Sequence, residues 1–217
     1  MSSFYSKEHT HDFPKQLKEH APDQLKAFNE FNMKVFKDGA LTRKEKELVA
    51  VATTHVTQCP YCIESHTKNA KKAGATLEEL TEAAFVTAAV EAGSAVTHST
   101  HVHNATDKEA PDSLYQRSNL KHLNELNKLA GESFKGYQAF SDAATKAGKL
   151  STKFKEIIAV AVAHATQCPY CIDVHTKSAE REGATSEELA EAIMVTAALR
   201  AGGSYAHMRI MFDSYQE

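Results

Sequence analysis

The stretch ELVAVATTHVTQCPYCIESH, residues 47–66, decides how the chain is read. Its first half is an apolar run long enough for a helix, and its alanines argue against a strand. Its second half sets two cysteines two residues apart, with a histidine four residues beyond the second. Pro60 suits the first turn of a new helix, so a helix is expected to start at the cysteines and run to about Ala73. The arrangement returns as EIIAVAVAHATQCPYCIDVH, residues 156–175.

Cys59 and Cys168 lie 109 residues apart, and the same offset aligns residues 39–93 with 148–202, roughly half of them identical. Upstream, Phe28, Phe31 and Gly39 pair with Tyr137, Phe140 and Gly148. This is an internal duplication, with a first repeat over 1–110 and a second over 111–217. Each copy reads as helices. Pro22 opens an amphipathic helix carrying Leu25, Phe28, Phe31 and Val35, which is expected to stop at Gly39. Thr42 with Glu45, and Thr76 with Glu79, form capping boxes for two more helices. Gly74 and Gly93 are read as helix ends, and Gly183, Thr185, Glu188 and Gly202 repeat the plan. The polar segment NATDKEAPDSLYQRS, residues 104–118, is read as the connection between copies. The alanine-rich faces EAAFVTAAVEAG and EAIMVTAALRAG are expected to pack on the other copy or on another subunit. The fold class is all-α.

The 217 residues, 42% hydrophobic and 24% charged, describe an ordinary globular chain. A net charge of −3 with mixed signs gives no field for nucleic acid and no basic strip for a membrane. The opening MSSFYSKEHTHDFPKQLKEH is too polar for a signal peptide, and no apolar run approaches the ~20 residues that span a bilayer. A cytoplasmic location is expected. There thiols are kept reduced, so paired cysteines are catalytic, redox-sensing or metal-bound more often than static bridges.

All four cysteines of the chain lie in the two motifs. Structural zinc needs four ligands, and roughly a hundred residues separate the pairs. One site per copy would need a further ligand such as His55 or His164, for which a bond to a backbone carbonyl is the plainer reading. Redox chemistry suits the local geometry better. A cysteine at a helix start faces the positive end of the backbone dipoles, and a second one turn later can close a disulfide. His66 lies one turn beyond Cys62 and His175 one turn beyond Cys171, which makes the second cysteine of each pair the candidate for activation. Glu47 and Glu156, each twelve residues before the first cysteine, can orient the imidazole as the acid of a triad does.

Thiolate tuning alone is not enough. Lowering a thiol from about 8.5 to about 6.5 raises the thiolate at pH 7 from roughly 3% to roughly 75%. A Brønsted slope of about 0.4–0.5 returns nearly tenfold of that gain through weaker nucleophilicity. With a peroxide substrate, a Glu-oriented histidine has a second task, protonating the departing alkoxide. The plainer alternatives are surface ion pairs for Glu47 and Glu156, a helix-solvating role for the charged run TRKEKE, simple packing for Tyr61 and Tyr170, and solvation for His98, His101 and His103, of which only His98 has a counterpart, His207.

The pattern E-x11-C-x2-C-x3-H, present as Glu47, Cys59, Cys62, His66 and as Glu156, Cys168, Cys171, His175, resembles the alkylhydroperoxidase D (AhpD) branch of the carboxymuconolactone decarboxylase superfamily. The GAT-x-EEL segment and flanking helices resemble it too. The resemblance implies an AhpD-like helical fold, a homo-oligomer such as a trimer of this tandem chain, and reduction of hydroperoxides with no cofactor or metal. It implies peroxidatic roles for Cys62 and Cys171, resolving roles for Cys59 and Cys168, and a proton relay through the His and Glu pairs. It also implies a dithiol reductant such as a lipoyl-carrying protein or a thioredoxin-like donor. Tyr61 and Tyr170 stand where the best known AhpD has a histidine. The alternatives are a metal-binding or structural interaction protein with Cys and His as ligands, and a protein disulfide oxidoreductase.

Overall fold

The computed structural model describes residues 12–216, and the polar opening read above falls largely on residues 1–11, outside them. The described residues are helical and contain no strand. In chain order the helices are α1 (Phe13–His20), α2 (Pro22–Val35), α3 (Arg43–Thr57), α4 (Pro60–Lys72), α5 (Leu77–His98) and α6 (Thr100–Thr106). A short 3-10 turn (Arg117–His122) leads to α7 (Leu123–Leu129), α8 (Gly131–Thr145), α9 (Thr152–Thr166), α10 (Pro169–Arg181) and α11 (Ser186–Gln216). Helices α3 and α9 match residue for residue under the 109-residue offset, as do α4 and α10.

The expected caps form. Thr42 Oγ1 accepts from the Glu45 N–H at 3.3 Å while Glu45 accepts from the Thr42 N–H at 2.8 Å. Thr76 with Glu79 and Thr185 with Glu188 make the same exchange. In the second copy of α3 the box is reduced to one half, Ser151 accepting from the Phe154 N–H at 3.2 Å. Gly74 and Gly183 end their helices with φ of 89° and 85°, the left-handed conformation that glycine adopts without a Cβ clash.

Gly93 and Gly202 do not end helices. Helix α5 passes through Gly93 to His98, and α11 passes through Gly202 to Gln216. Neither glycine has a positive φ, and no proline follows to stop the helix. What Gly93 provides is room, since a Cβ there would stand 2.8 Å from Tyr137 Oη. The first amphipathic helix ends at Val35, ahead of Gly39.

The core is α3 and α9 laid against each other, buried from Lys46 to Thr54 and from Phe154 to Ala163, with α5 and α11 each packed on both. Their alanines let the helices approach closely, and Thr87 and Thr196 donate to the Ala52 and Ala161 carbonyls at 3.1 and 3.0 Å. The copies are also clasped reciprocally. Glu191 of the second accepts from the Ala40 and Leu41 N–H groups of the first at 3.1 and 2.8 Å and pairs with Lys46 at 3.1 Å. Glu82 of the first accepts from Lys149 and Leu150 at 2.8 and 3.0 Å and pairs with Lys155 at 3.0 Å. The charged run TRKEKE therefore does more than solvate a helix, because Lys46 is buried.

Burial pushes the Glu82 and Glu191 carboxyls up, but the two N–H donors and the lysine on each outweigh it and hold both below the usual value. A depressed carboxyl stabilises the fold above its unfolded pKa and loses that contribution as pH falls through the folded one. The double variant Glu82→Gln/Glu191→Gln is expected to lose about 2 kcal/mol at neutral pH. The gap from the parent should close in acid denaturation series run below the normal carboxylate range. A gap that stays constant with pH would show that charge plays no part in the clasp.

Candidate active site

The corner between α3 and α4 places the site. Gln58 adopts the left-handed conformation, φ 53°, and Gln167 does the same at φ 58°. That turn reverses the chain within two residues, so α4 runs back along α3 and residues 19 apart in sequence meet. His66 Nδ1 lies 2.7 Å from Glu47 Oε2, and His175 Nδ1 lies 2.8 Å from Glu156 Oε2. Neither glutamate is a surface charge, with relative exposures of 0% and 7%. With Nδ1 committed to the carboxylate, Nε2 is the histidine nitrogen left for chemistry.

Cys59 caps α4 and Cys168 caps α10, and all four cysteines are buried and free. Cys62 Sγ donates to Cys59 Sγ at 2.7 Å. In the second copy the Cys171 N–H donates to Cys168 Sγ at 3.3 Å. The hydrogen bond from Cys62, opposed by burial, holds Cys59 down at about 6, while giving that hydrogen bond and being buried push Cys62 up. Cys168 is held at about 5 by Cys171 against burial, helped by Thr97 and Ser94, and Cys171 is pushed up in turn. In each pair the hydrogen bond thus favours the thiolate on the helix-capping cysteine over its neighbour.

The sites are built across the repeats. A cavity of about 280 Å³ is lined by Cys62 and His66 of the first repeat together with Tyr205 and Arg209 from α11 of the second. At the second dithiol, Ser94 Oγ lies 3.5 Å from Cys171 Sγ and Thr97 Oγ1 lies 3.5 Å from Cys168 Sγ, both from α5 of the first repeat. Periodicity did not mark these residues. The available signal was negative: under the offset, Ser94, Thr97 and Thr100 face Gly203, Ala206 and Arg209, among the places where the copies disagree.

Supporting residues differ as well. Arg43 reaches Glu47 at 2.6 Å and lies over the Phe36 ring, which stacks on His66 with centroids 5.3 Å apart. Thr152 and Thr145 hold the equivalent positions. Tyr170 is buried, donating to the Leu114 carbonyl and accepting from Asn119, both at 3.1 Å, so it packs as expected. His55 and His164 bond the Val51 and Val160 carbonyls at 2.7 and 2.8 Å. His98 and His101 lie 5.5 Å apart among Tyr115 and Tyr170, and no group of three or more His, Cys, Asp or Glu among the described residues is placed to hold a metal ion.

The model of the carboxymuconolactone decarboxylase family matches residues 22–105 and 131–212, one match in each half of the chain. A Paracoccus denitrificans protein, named only as uncharacterized protein 4 in the cox locus, is 47% identical over 85 residues, 39% of this chain and 77% of the relative. An uncharacterized protein of Cupriavidus necator is 34% identical over 87 residues, 37% of this chain and 77% of its own. A crystal structure from Burkholderia xenovorans, provisionally assigned as a gamma-carboxymuconolactone decarboxylase subunit, superposes with a TM-score of 0.68 at 21% identity, covering 94% of this chain and 90% of that one. That likeness is one of fold. No described helix is long and apolar enough to cross a membrane.

Ultraviolet absorbance should report the thiolates of the capping cysteines. In Cys168→Ser/Cys171→Ser protein the signal is expected to rise with a midpoint of about 6, and in Cys59→Ser/Cys62→Ser protein with a midpoint of about 5. Ser94→Ala/Thr97→Ala should move the second midpoint upward. Midpoints at the ordinary thiol value of about 8.5 would mean the hydrogen bonds do not favour those thiolates.

Proposed function

The chain belongs to the carboxymuconolactone decarboxylase family, and from that membership we propose that it is a thiol-dependent peroxidase reducing organic hydroperoxides or hydrogen peroxide at two dithiol sites. The observation that carries this reading is the first site's arrangement: Cys62 lines a cavity beside His66, with Cys59 fully buried behind it at 2.7 Å. The second motif repeats the same four residues and the same Glu–His bond.

In the resting dithiol Cys59 carries the thiolate and Cys62 the proton. As the peroxide enters, the proton passes from Cys62 to Cys59, and the Cys62 thiolate attacks the distal peroxide oxygen. The S–O bond forms, the O–O bond breaks, and protonated His66 gives its proton to the departing alkoxide, releasing the alcohol. Neutral His66 then takes the Cys59 proton. The Cys59 thiolate attacks the sulfenic sulfur of Cys62, and hydroxide leaves with the histidine's proton as water. One peroxide and two thiols become one alcohol, one water and one disulfide. Glu47 keeps Nδ1 occupied so that Nε2 does this work, and Glu156 does so for His175. A dithiol donor, lipoyl-carrying or thioredoxin-like, restores the pair by exchange. Decarboxylation, suggested by the name of the Burkholderia xenovorans neighbour, gives the paired thiols no task.

Rapid thiol counting after a small excess of an organic hydroperoxide tests the reading. The parent should lose about two thiols per repeat, much faster than a free thiol. Cys62→Ser and Cys171→Ser are each expected to remove about half of the fast phase, and the double variant all of it. Glu47→Gln in a protein retaining only the first site should slow the reaction by roughly 10–100-fold. Consumption no faster than that of free thiol would sink the peroxidase claim.

A further inference from the structure

The two motifs are near copies, but the walls that face them are not. Along the first site, α11 brings Arg209 into the cavity that Cys62 and His66 line. Its guanidinium lies 4.8 Å from the Tyr61 ring centre and 4.3 Å from that of Phe13, and NH1 donates to the Ala206 carbonyl at 3.2 Å. Nε is buried with no hydrogen-bond partner, and Arg209 makes no ion pair among the described residues. A guanidinium clamped by two rings keeps its orientation, and donors held in a fixed fork suit a carboxylate.

Among the described residues no aspartate or glutamate lines the cavity, whose remaining polar groups include Asn29, Asn32 and Ser65, so an incoming anion meets no carboxylate from them. At about 280 Å³ the space sits near the lower end of ligand pockets and suits a short chain.

At the second site Arg209 has no counterpart under the offset. The position equivalent to Arg209 is Thr100, buried and donating to the Thr97 carbonyl at 2.9 Å. Neutral hydroxyls of Ser94 and Thr97 stand against its sulfurs, and the Tyr137 hydroxyl closes on Gly93, whereas nothing stands within 4 Å of where a Cβ at Gly202 would be. The helix itself departs, since α5 breaks at Ser99 where α11 continues.

We propose that the two sites divide substrates by charge: the first is selective for short-chain hydroperoxides bearing a carboxylate, which Arg209 of the second repeat holds while the peroxide oxygen meets Cys62, and the second has no such preference. This rests on the peroxidase reading for its chemistry and on Arg209 for its selectivity. Arg209 is a specificity residue and takes no part in breaking the O–O bond.

The test compares ω-hydroperoxyhexanoic acid with its methyl ester in proteins that keep one dithiol each. With only the first site, kcat/KM should favour the acid by about tenfold or more, the difference lying in KM. Arg209→Met should bring the ratio to about one, and Arg209→Lys should retain part of it, with helical circular dichroism confirming that both variants fold. With only the second site the ratio should stay near one. Equal ratios at the two sites, or a ratio that Arg209→Met leaves intact, would overturn the proposal and leave the peroxidase reading standing. If neither site consumes hydroperoxide, the peroxidase reading falls, and a chemical-shift titration of the reduced protein with hexanoate decides the anion site separately. Saturable binding lost in Arg209→Met keeps that site, and no binding removes it.

Discussion

A carboxylate with no exposed surface must be compensated where it lies, and Glu47 sits fully buried in the helix at the centre of the fold. Stripping water from a carboxylate costs several kcal/mol, so its partners have to be in place when the core closes. His66 and Arg43 meet that demand, one to each oxygen. His66 can reach only because Gln58 turns the chain in a left-handed conformation that most residues avoid. The same corner sets Cys59 at the start of α4. Burial of Glu47, strain at Gln58 and the position of the cysteines are thus one constraint seen from three places.

The second constraint is that neither repeat closes alone. Lys46 and Lys155 are buried in the first turns of α3 and α9, and each finds its carboxylate in the other repeat. Glu82 and Glu191 also satisfy the backbone donors that open those helices, and Gly39 and Gly148 lie so close to these carboxylates that a Cβ would collide with them. The clasp brings the far ends of α5 and α11 over the opposite dithiol. Docking of the repeats and completion of the sites are therefore the same event.

The sequence made the helices and the four-residue motif legible because both depend on residue type at fixed spacing. Caps at Thr42, Thr76 and Thr185, prolines at Pro60 and Pro169, and the duplication itself are local signals. The burial of Lys46 and Glu47 was not legible, since a charged helix start looks alike whether it faces water or another repeat. Gly93 and Gly202 were read as stops because glycine's cost in a helix is visible in sequence, whereas the space it leaves for Tyr137 is not. Arg209, Ser94 and Thr97 escaped because their role comes from the packing of one repeat on the other.

Joining two copies in one chain changes what their sites can become. In a symmetric dimer of identical chains, any residue brought to one site is brought to its twin, so Arg209 would appear twice or not at all. Here the α5 and α11 ends are encoded separately. They have diverged where they meet the opposite dithiol, at Ser94 against Gly203, Thr97 against Ala206 and Thr100 against Arg209, while the motifs they face keep CPYC and the same Glu and His. The reacting groups are held by demands internal to each repeat: a buried carboxylate, a strained turn and a helix start. The facing wall answers to none of these, so it is where two sites sharing one chemistry are free to differ in what they admit.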